Sequence, residues 1–177
     1  MKKTLIVNYF AGPGTGKSTT CAGTFSRLKL LGVNCEMALE YAKEVVWSGD
    51  LNKFDNQVYI FAKQYHRIFR LLGKVDVILT DCPILMSLVY SVGEENKILR
   101  ELVLSKYIPM NNLDIFLKRT KGYNPKGRLQ TFDKAKKLDS EILQVLQDYS
   151  GGFHSFDGNE HAVSNSIHLI KKVLKIK

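Results

Sequence analysis

Residues Ala11-Gly12-Pro13-Gly14-Thr15-Gly16-Lys17-Ser18 follow directly on the apolar run Thr4 to Phe10, and no other stretch restricts the fold so strongly. The octet fits G-x-x-x-x-G-K-[ST]. In that pattern small residues let backbone N–H groups close around phosphate oxygens, the lysine reaches the β/γ-phosphates of a nucleotide, and the hydroxyl meets Mg²⁺. On that reading Gly12, Pro13, Gly14, Thr15, Gly16, Lys17, Ser18 and Thr19 hold phosphate, with Ser18 also at the metal. The first position holds Ala11 in place of Gly, still a small side chain, while Gly12, Gly14 and Gly16 keep the freedom to adopt positive φ. Leu5, Ile6 and Val7 read as a buried strand before the loop, and Ser18 to Leu31 carries a helical apolar pattern after it. Bound phosphate would therefore lie at a helix N-terminus.

Strands and helices alternate along the rest of the chain, which predicts an α/β sandwich. Val33 to Leu39 reads as a second strand and Ala42 to Ser48 as a helix. Glu40 stands between them, and ligands of open α/β sheets bind beyond the carboxyl ends of strands, so its carboxylate points toward the chemistry. The alternative is a solvated residue at a helix start. Asn56 to Leu72 predicts a long helix with a core stripe of Val58, Phe61, Tyr65, Ile68, Phe69 and Leu72. Its polar residues Gln57, Gln64 and Arg67 are candidates to meet a base or a phosphate.

A third strand, Val75 to Thr80, ends in Asp81, the Walker B arrangement that places an acid to hold Mg²⁺ directly or through water. Helices over Leu85 to Val92 and Glu95 to Tyr107 lead to a fourth strand, Leu113 to Leu117. The basic segment Lys118 to Arg128 is broken by Gly and Pro and reads as a mobile lid, about 119–131, that brings Arg119 or Arg128 toward the transferring group. A helix over Phe132 to Gln147, a short fifth strand over Phe153 to Phe156, the loop Asp157-Gly158-Asn159 and a basic helix from Ala162 to Lys175 complete the chain.

At 177 residues one domain is expected, 1–177, with core enough to dispense with disulfides or structural metal. No apolar run approaches the roughly 18 residues of a membrane span, and Met1-Lys2-Lys3 leads into a strand, which predicts a cytoplasmic protein without membrane partners. Cys21, Cys35 and Cys82 are odd in number and scattered, so free thiols in a reducing compartment are expected rather than a zinc cluster. His66, His154, His161 and His168 are equally dispersed. The net charge of +9 favours an anionic partner, nucleotide or nucleic acid, although the lysines are spread along the chain without a recognised nucleic-acid module.

With these residues in view the chain resembles the P-loop nucleoside and nucleotide kinases. It is most similar to small phage-encoded P-loop proteins grouped with the kinase domain of nicotinamide riboside kinases. The likeness runs through Glu40-Tyr41-Ala42-Lys43, Asp55-Asn56-Gln57, Lys63-Gln64-Tyr65-His66-Arg67 and Thr80-Asp81-Cys82-Pro83. The resemblance implies a P-loop three-layer sandwich with a five-stranded parallel sheet in order 2-3-1-4-5, ATP and Mg²⁺ at the first loop, and a phosphoryl acceptor near Glu40. It also implies Glu40 as the base that activates an acceptor hydroxyl, Asp81 as the acid ending the third strand, Arg128 as the lid arginine, and Asp157 to Asn159 as the loop that touches adenine. The chain has Asp81-Cys82-Pro83 where those kinases carry an acid followed by Arg and Ser. The arginine that steadies the acceptor is therefore absent there, and Arg67, Arg119 or Arg128 would substitute.

The function expected is ATP-dependent phosphoryl transfer to a nucleoside, nucleotide or similar small molecule, with Lys17 and Ser18 at the phosphates and metal and Arg128 stabilising charge. Either Glu40 or Asp81 takes the proton, and monomer and homodimer both remain open. The alternatives are a kinase acting on DNA, at an end or on a hydroxymethylated base, and an ATP-switched binding ATPase.

Overall fold

Leu5, Val7 and Tyr9 pack to one side of the first strand and Ile6 and Phe10 to the other, and all five are buried. A strand covered on both faces belongs inside a sheet with helices above and below. A computed structural model describes residues 3–91, 95–120, 122 and 131–176. Strands β1 (Leu5–Phe10), β2 (Cys35–Ala38), β3 (Val77–Thr80), β4 (Asn111–Lys118) and β5 (Phe153–Asp157) pair in parallel in the order β2-β3-β1-β4-β5. The α/β fold and strand order are those the sequence leads one to expect.

Helices α1 (Lys17–Leu30) and α7 (Ala162–Leu174) cover the face of Leu5, Val7 and Tyr9, contributing Cys21, Leu28, Ala162 and Ile170. The opposite face is covered by α3 (Gln57–Phe69), α5 (Glu95–Tyr107) and α6 (Phe132–Tyr149) through Phe61, Ile68, Leu99, Val103, Ile142 and Leu146. Each such Leu or Ile contributes about 1.5–3 kcal/mol when fully withdrawn from water. The remaining helices, α2 (Tyr41–Ser48) and α4 (Ser87–Tyr90), sit near the carboxyl ends of β2 and β3.

Several boundaries differ from the sequence reading. β3 begins at Val77 rather than Val75, because Thr4 Oγ1 takes the Val75 carbonyl at 2.8 Å in place of a ladder partner. β4 begins two residues early, at Asn111 and Asn112, whose polar side chains hid their pairing with Leu5 and Ile6. The helix expected from Leu85 starts instead as a 3₁₀ turn, Ile84–Met86, that runs into α4, and a further 3₁₀ turn spans Leu51–Asp55. On α3 the stripe is narrower than the periodicity implies: Phe61, Gln64 and Ile68 are buried, whereas Val58 and Phe69 are 47% and 57% exposed. Phe69 packs on Tyr65, which stacks on Phe61, so the rings form a ladder that runs out of the core.

No described helix is long and apolar enough to cross a membrane. Cys21 and Cys35 are buried free thiols and Cys82 is half-buried.

One polar cluster lies inside the sheet, away from the phosphate loop. Asn8 and Asp114 are register partners on β1 and β4, and Asn8 Nδ2 donates to Asp114 Oδ1 at 2.8 Å. Asp114 Oδ2 accepts from Ser150 Oγ at 2.5 Å and from the Tyr107 hydroxyl. Burial first, and then the Asp114 charge, pushes the Tyr107 phenol far above its ordinary value, so it stays protonated and donates. Asp114→Ala would take the acceptor from the Tyr107 hydroxyl and leave Asn8 Nδ2 and Ser150 Oγ with only Asn112 Oδ1 and Gly152 O, beside a cavity of about 540 Å³ at the amino ends of β4 and β5. We expect a loss of about 3 kcal/mol in urea unfolding; a change below about 1 kcal/mol would show that water re-satisfies the donors.

Candidate active site

All five strands lead at their carboxyl ends into a residue of the candidate site. β1 runs into the phosphate loop, β2 into Glu40, β3 into Asp81, β4 into Arg119 and β5 into Gly158. The strand order reverses at β1, where β3 and β4 lie on opposite sides of it, and this is where α/β sheets leave a crevice.

The loop takes its shape from two glycines in the left-handed region, Gly14 (φ 82°) and Gly16 (φ 108°), the latter capping α1. Thr15 is wholly buried and its Oγ1 donates to the Gly12 carbonyl at 3.0 Å. Lys17 lies across the loop, its Nζ donating to Ala11 O at 2.7 Å and Gly12 O at 3.3 Å. Ala11 is fully buried against the β1 core, so its methyl packs where the pattern has glycine.

Ser18 Oγ donates to Asp81 Oδ2 at 2.5 Å, and the Glu40 backbone amide donates to Asp81 Oδ1 at 3.0 Å. Asp81 is 2% exposed, so both its oxygens are committed to fixed donors. The Ser18 and Asp81 oxygens are hard donors beside the phosphate cradle, a set that suits Mg²⁺, which keeps water and phosphate oxygens as its other ligands. The half-buried Glu40 side chain lies on the same cavity. Burial raises its carboxyl group above the ordinary carboxylate range, the Lys17 ammonium opposes that rise, and the Asp81 charge adds to it.

That cavity, about 560 Å³, is lined by Gly14, Lys17 and Ser18 and also by Trp47, Phe54, Ile60, Met86 and Tyr90. Gln57 and Gln64 lie along it. Gln64 is 3% exposed, its Oε1 accepts the Tyr41 amide at 2.9 Å, and its Nε2 is buried with no hydrogen-bond partner among the described residues. Cys82 also lines the cavity; burial, then the charges of Glu40 and Asp81, hold its thiol protonated. The aromatic wall was not legible in the sequence. Its one signal is Trp47, the single tryptophan, 72% exposed at the cavity's edge; Phe54 arrives only through the unanticipated 3₁₀ turn.

Arg67 and Arg119 are placed in ion pairs. Arg67 Nη2 meets Glu44 Oε2 at 2.5 Å, Nη1 donates to the Leu39 carbonyl at 3.3 Å, and the guanidinium covers the Tyr41 ring, tying α3 to α2. Arg119 Nε meets Asp139 Oδ2 at 2.8 Å, Nη1 donates to the Pro13 carbonyl at 2.9 Å, and its buried Nη2 has no partner among the described residues. Arg128 lies outside the described residues, as does most of the expected lid.

Asp139 escaped the sequence reading, and Gly158 entered it only as part of the loop expected to touch adenine. Gly158 sits directly on the phosphate loop: a Cβ there would come within 2.5 Å of the Thr15 carbonyl, so no side chain fits. Asp139 accepts the Gly12 amide on Oδ1 at 2.6 Å. Its signal was available, since Ala135, Ile142 and Leu146 are the buried line of α6 and Asp139 interrupts it at helical spacing.

No protein-family model matches the chain, and no curated protein matches it. Among solved structures it is similar to NadR in complex with NAD and AMP-PNP, with a TM-score of 0.77 and 14% identity over 98% of this chain and 50% of that one. NadR in complex with NR gives a TM-score of 0.75 and 14% identity, covering 98% of this chain and 52% of that one. The chain shares the fold of these structures and spans about half their length.

Proposed function

We propose that this chain is an ATP-dependent phosphotransferase that passes the γ-phosphoryl group to the hydroxyl of a nucleoside-like small molecule. The observation that carries the reading is the single cavity on which Lys17, Ser18, Asp81 and Glu40 converge beside an aromatic wall. The likeness in fold to a protein solved with an ATP analogue and, separately, with NR supports the same pairing of donor and acceptor.

The loop amides and Lys17 hold the β- and γ-phosphates. Ser18 and Asp81 would hold Mg²⁺, which when bound neutralises charge on the phosphate oxygens. The acceptor's ring stacks against Trp47, Phe54 or Tyr90, and Gln64 Nε2 donates to a carbonyl or ring nitrogen on it. Glu40 takes the hydroxyl proton as the acceptor oxygen bonds to the γ-phosphorus and the bond to the β–γ bridging oxygen breaks, releasing ADP. Burial equips Glu40 for this, because a raised carboxyl holds a proton better than an exposed one.

Transfer of labelled γ-phosphate from ATP and Mg²⁺ to nucleosides, nicotinamide riboside, monophosphates and hydroxymethylated DNA tests the reading, with Lys17→Ala as the blank. We expect label in a nucleoside-type acceptor. Label in DNA alone would make the acceptor a polymer, and ATP hydrolysis without any labelled acceptor would refute transfer.

A further inference from the structure

Gly12 and Pro13, which open the phosphate loop, are gripped from outside it. The Gly12 amide donates to Asp139 Oδ1 at 2.6 Å, Asp139 Oδ2 accepts Arg119 Nε at 2.8 Å, and Arg119 Nη1 donates to the Pro13 carbonyl at 2.9 Å. The result is a closed ring of contacts from α6, through the end of β4, to two consecutive loop residues. It is well shielded, with the Arg119 and Asp139 side chains 10% and 19% exposed. The fit leaves no slack at Gly12, where a Cβ would lie 2.5 Å from Asp139 Oδ1, 2.7 Å from the Ala135 carbonyl and 3.0 Å from Arg119 Nη2.

The ring bears on how the loop holds an anion. Pro13 has no N–H, and the Gly12 N–H is taken by Asp139, so the amides free for phosphate begin at Gly14. Turning the first peptide units outward leaves the later N–H groups, with the N-terminus of α1, to form the concave nest that phosphate needs. The device carries a hazard, because Asp139 sets a carboxylate directly behind an anion site. Arg119 answers that charge at 2.8 Å while holding the loop itself.

We infer that Asp139 and Arg119 are positioning residues for nucleotide binding, Asp139 by pinning the Gly12 amide and Arg119 by bracing Pro13 and neutralising Asp139. The inference rests on the proposed ATP site. It requires a particular asymmetry: removing Arg119 alone leaves an unpaired buried carboxylate behind the loop, and removing Asp139 as well relieves that repulsion.

The test is titration of the full chain with a fluorescent ATP analogue, for the parent, Arg119→Ala, Asp139→Ala and the double variant. We expect each single variant to weaken binding by about tenfold or more. The double variant should bind better than Arg119→Ala alone. Single variants that bind within about twofold of the parent, or a double variant whose loss is the product of the two, would overturn the inference. A parent that binds no ATP would overturn the nucleotide reading and take this inference with it, so the two failures are told apart by the parent. Because a variant that fails to fold would give no binding curve, the parent is also read by NMR. The Gly12 amide proton should be shifted downfield and protected from exchange, and a freely exchanging Gly12 amide would overturn the clasp itself.

Discussion

Glu40→Gln is expected to lower kcat by about 10²–10⁴-fold with a hydroxyl acceptor while leaving the KM for ATP within about twofold. The substitution keeps the size of the side chain and removes only its basicity. Asp81 stays in place, because the bond it receives from residue 40 comes from the backbone amide, which Gln retains. The fold should also survive, since burial already disfavours a charge at this position and a neutral amide avoids that cost. Steady-state kinetics on the acceptor found in the labelling experiment make the measurement. A variant with near-parental kcat would reassign the acceptor, because a phosphate oxygen is already a nucleophile and needs no base, whereas an alcohol must lose its proton.

Lys17→Ala should lower kcat by about 10²–10³-fold, the loss typical of one preorganised charge at a developing negative centre. In the structure the ammonium bonds to Ala11 O and Gly12 O, and its charge is felt at both Glu40 and Cys82. Removing it takes away the cation nearest the transferring group, and Glu40 then holds its proton more tightly. Two measurements separate chemistry from folding: thermal unfolding should show a cooperative transition close to the parent's, and single-turnover transfer should be slow even at saturating ATP. Transfer at more than about a tenth of the parental rate would place the reacting phosphate away from Lys17.

Both predictions depend on residues that local pattern reveals. The candidate phosphate loop is legible because its motif is carried by contiguous backbone: eight neighbouring residues make it, so spacing along the chain is also spacing in space. Glu40 and Asp81 are nearly as legible, since each follows an apolar run that becomes a parallel strand, and parallel strands bring their carboxyl ends to the same edge. The resemblance to P-loop kinases supplied the strand order, which alternating hydrophobicity alone does not contain.

The surroundings of other residues were not legible because they depend on partners far along the chain. Arg67 and Arg119 read as possible substitutes for the acceptor arginine, and their pairing with Glu44 and Asp139 was not visible, because an ion pair between residues 20 or more positions apart leaves no periodic trace. Gln64 read as a candidate to meet a base or a phosphate; what the sequence did not show is that it is buried, with one end of its amide fastened to Tyr41. Val58 and Phe69 fit the apolar stripe of α3 but are about half exposed, since burial is decided by what packs opposite.

The sequence by itself therefore determined most of the elements, their succession along the chain and the candidate phosphate loop, because helical and strand periodicity and the glycine-rich pattern act over a few bonds. Only the tertiary structure decided that Asp139 reaches the Gly12 amide, that Gly158 presses on Thr15, and that Trp47, Phe54 and Tyr90 wall one cavity with Glu40. Those arrangements follow from close packing between elements that the chain separates by tens of residues, and packing of that kind is set by three-dimensional fit rather than by any local preference.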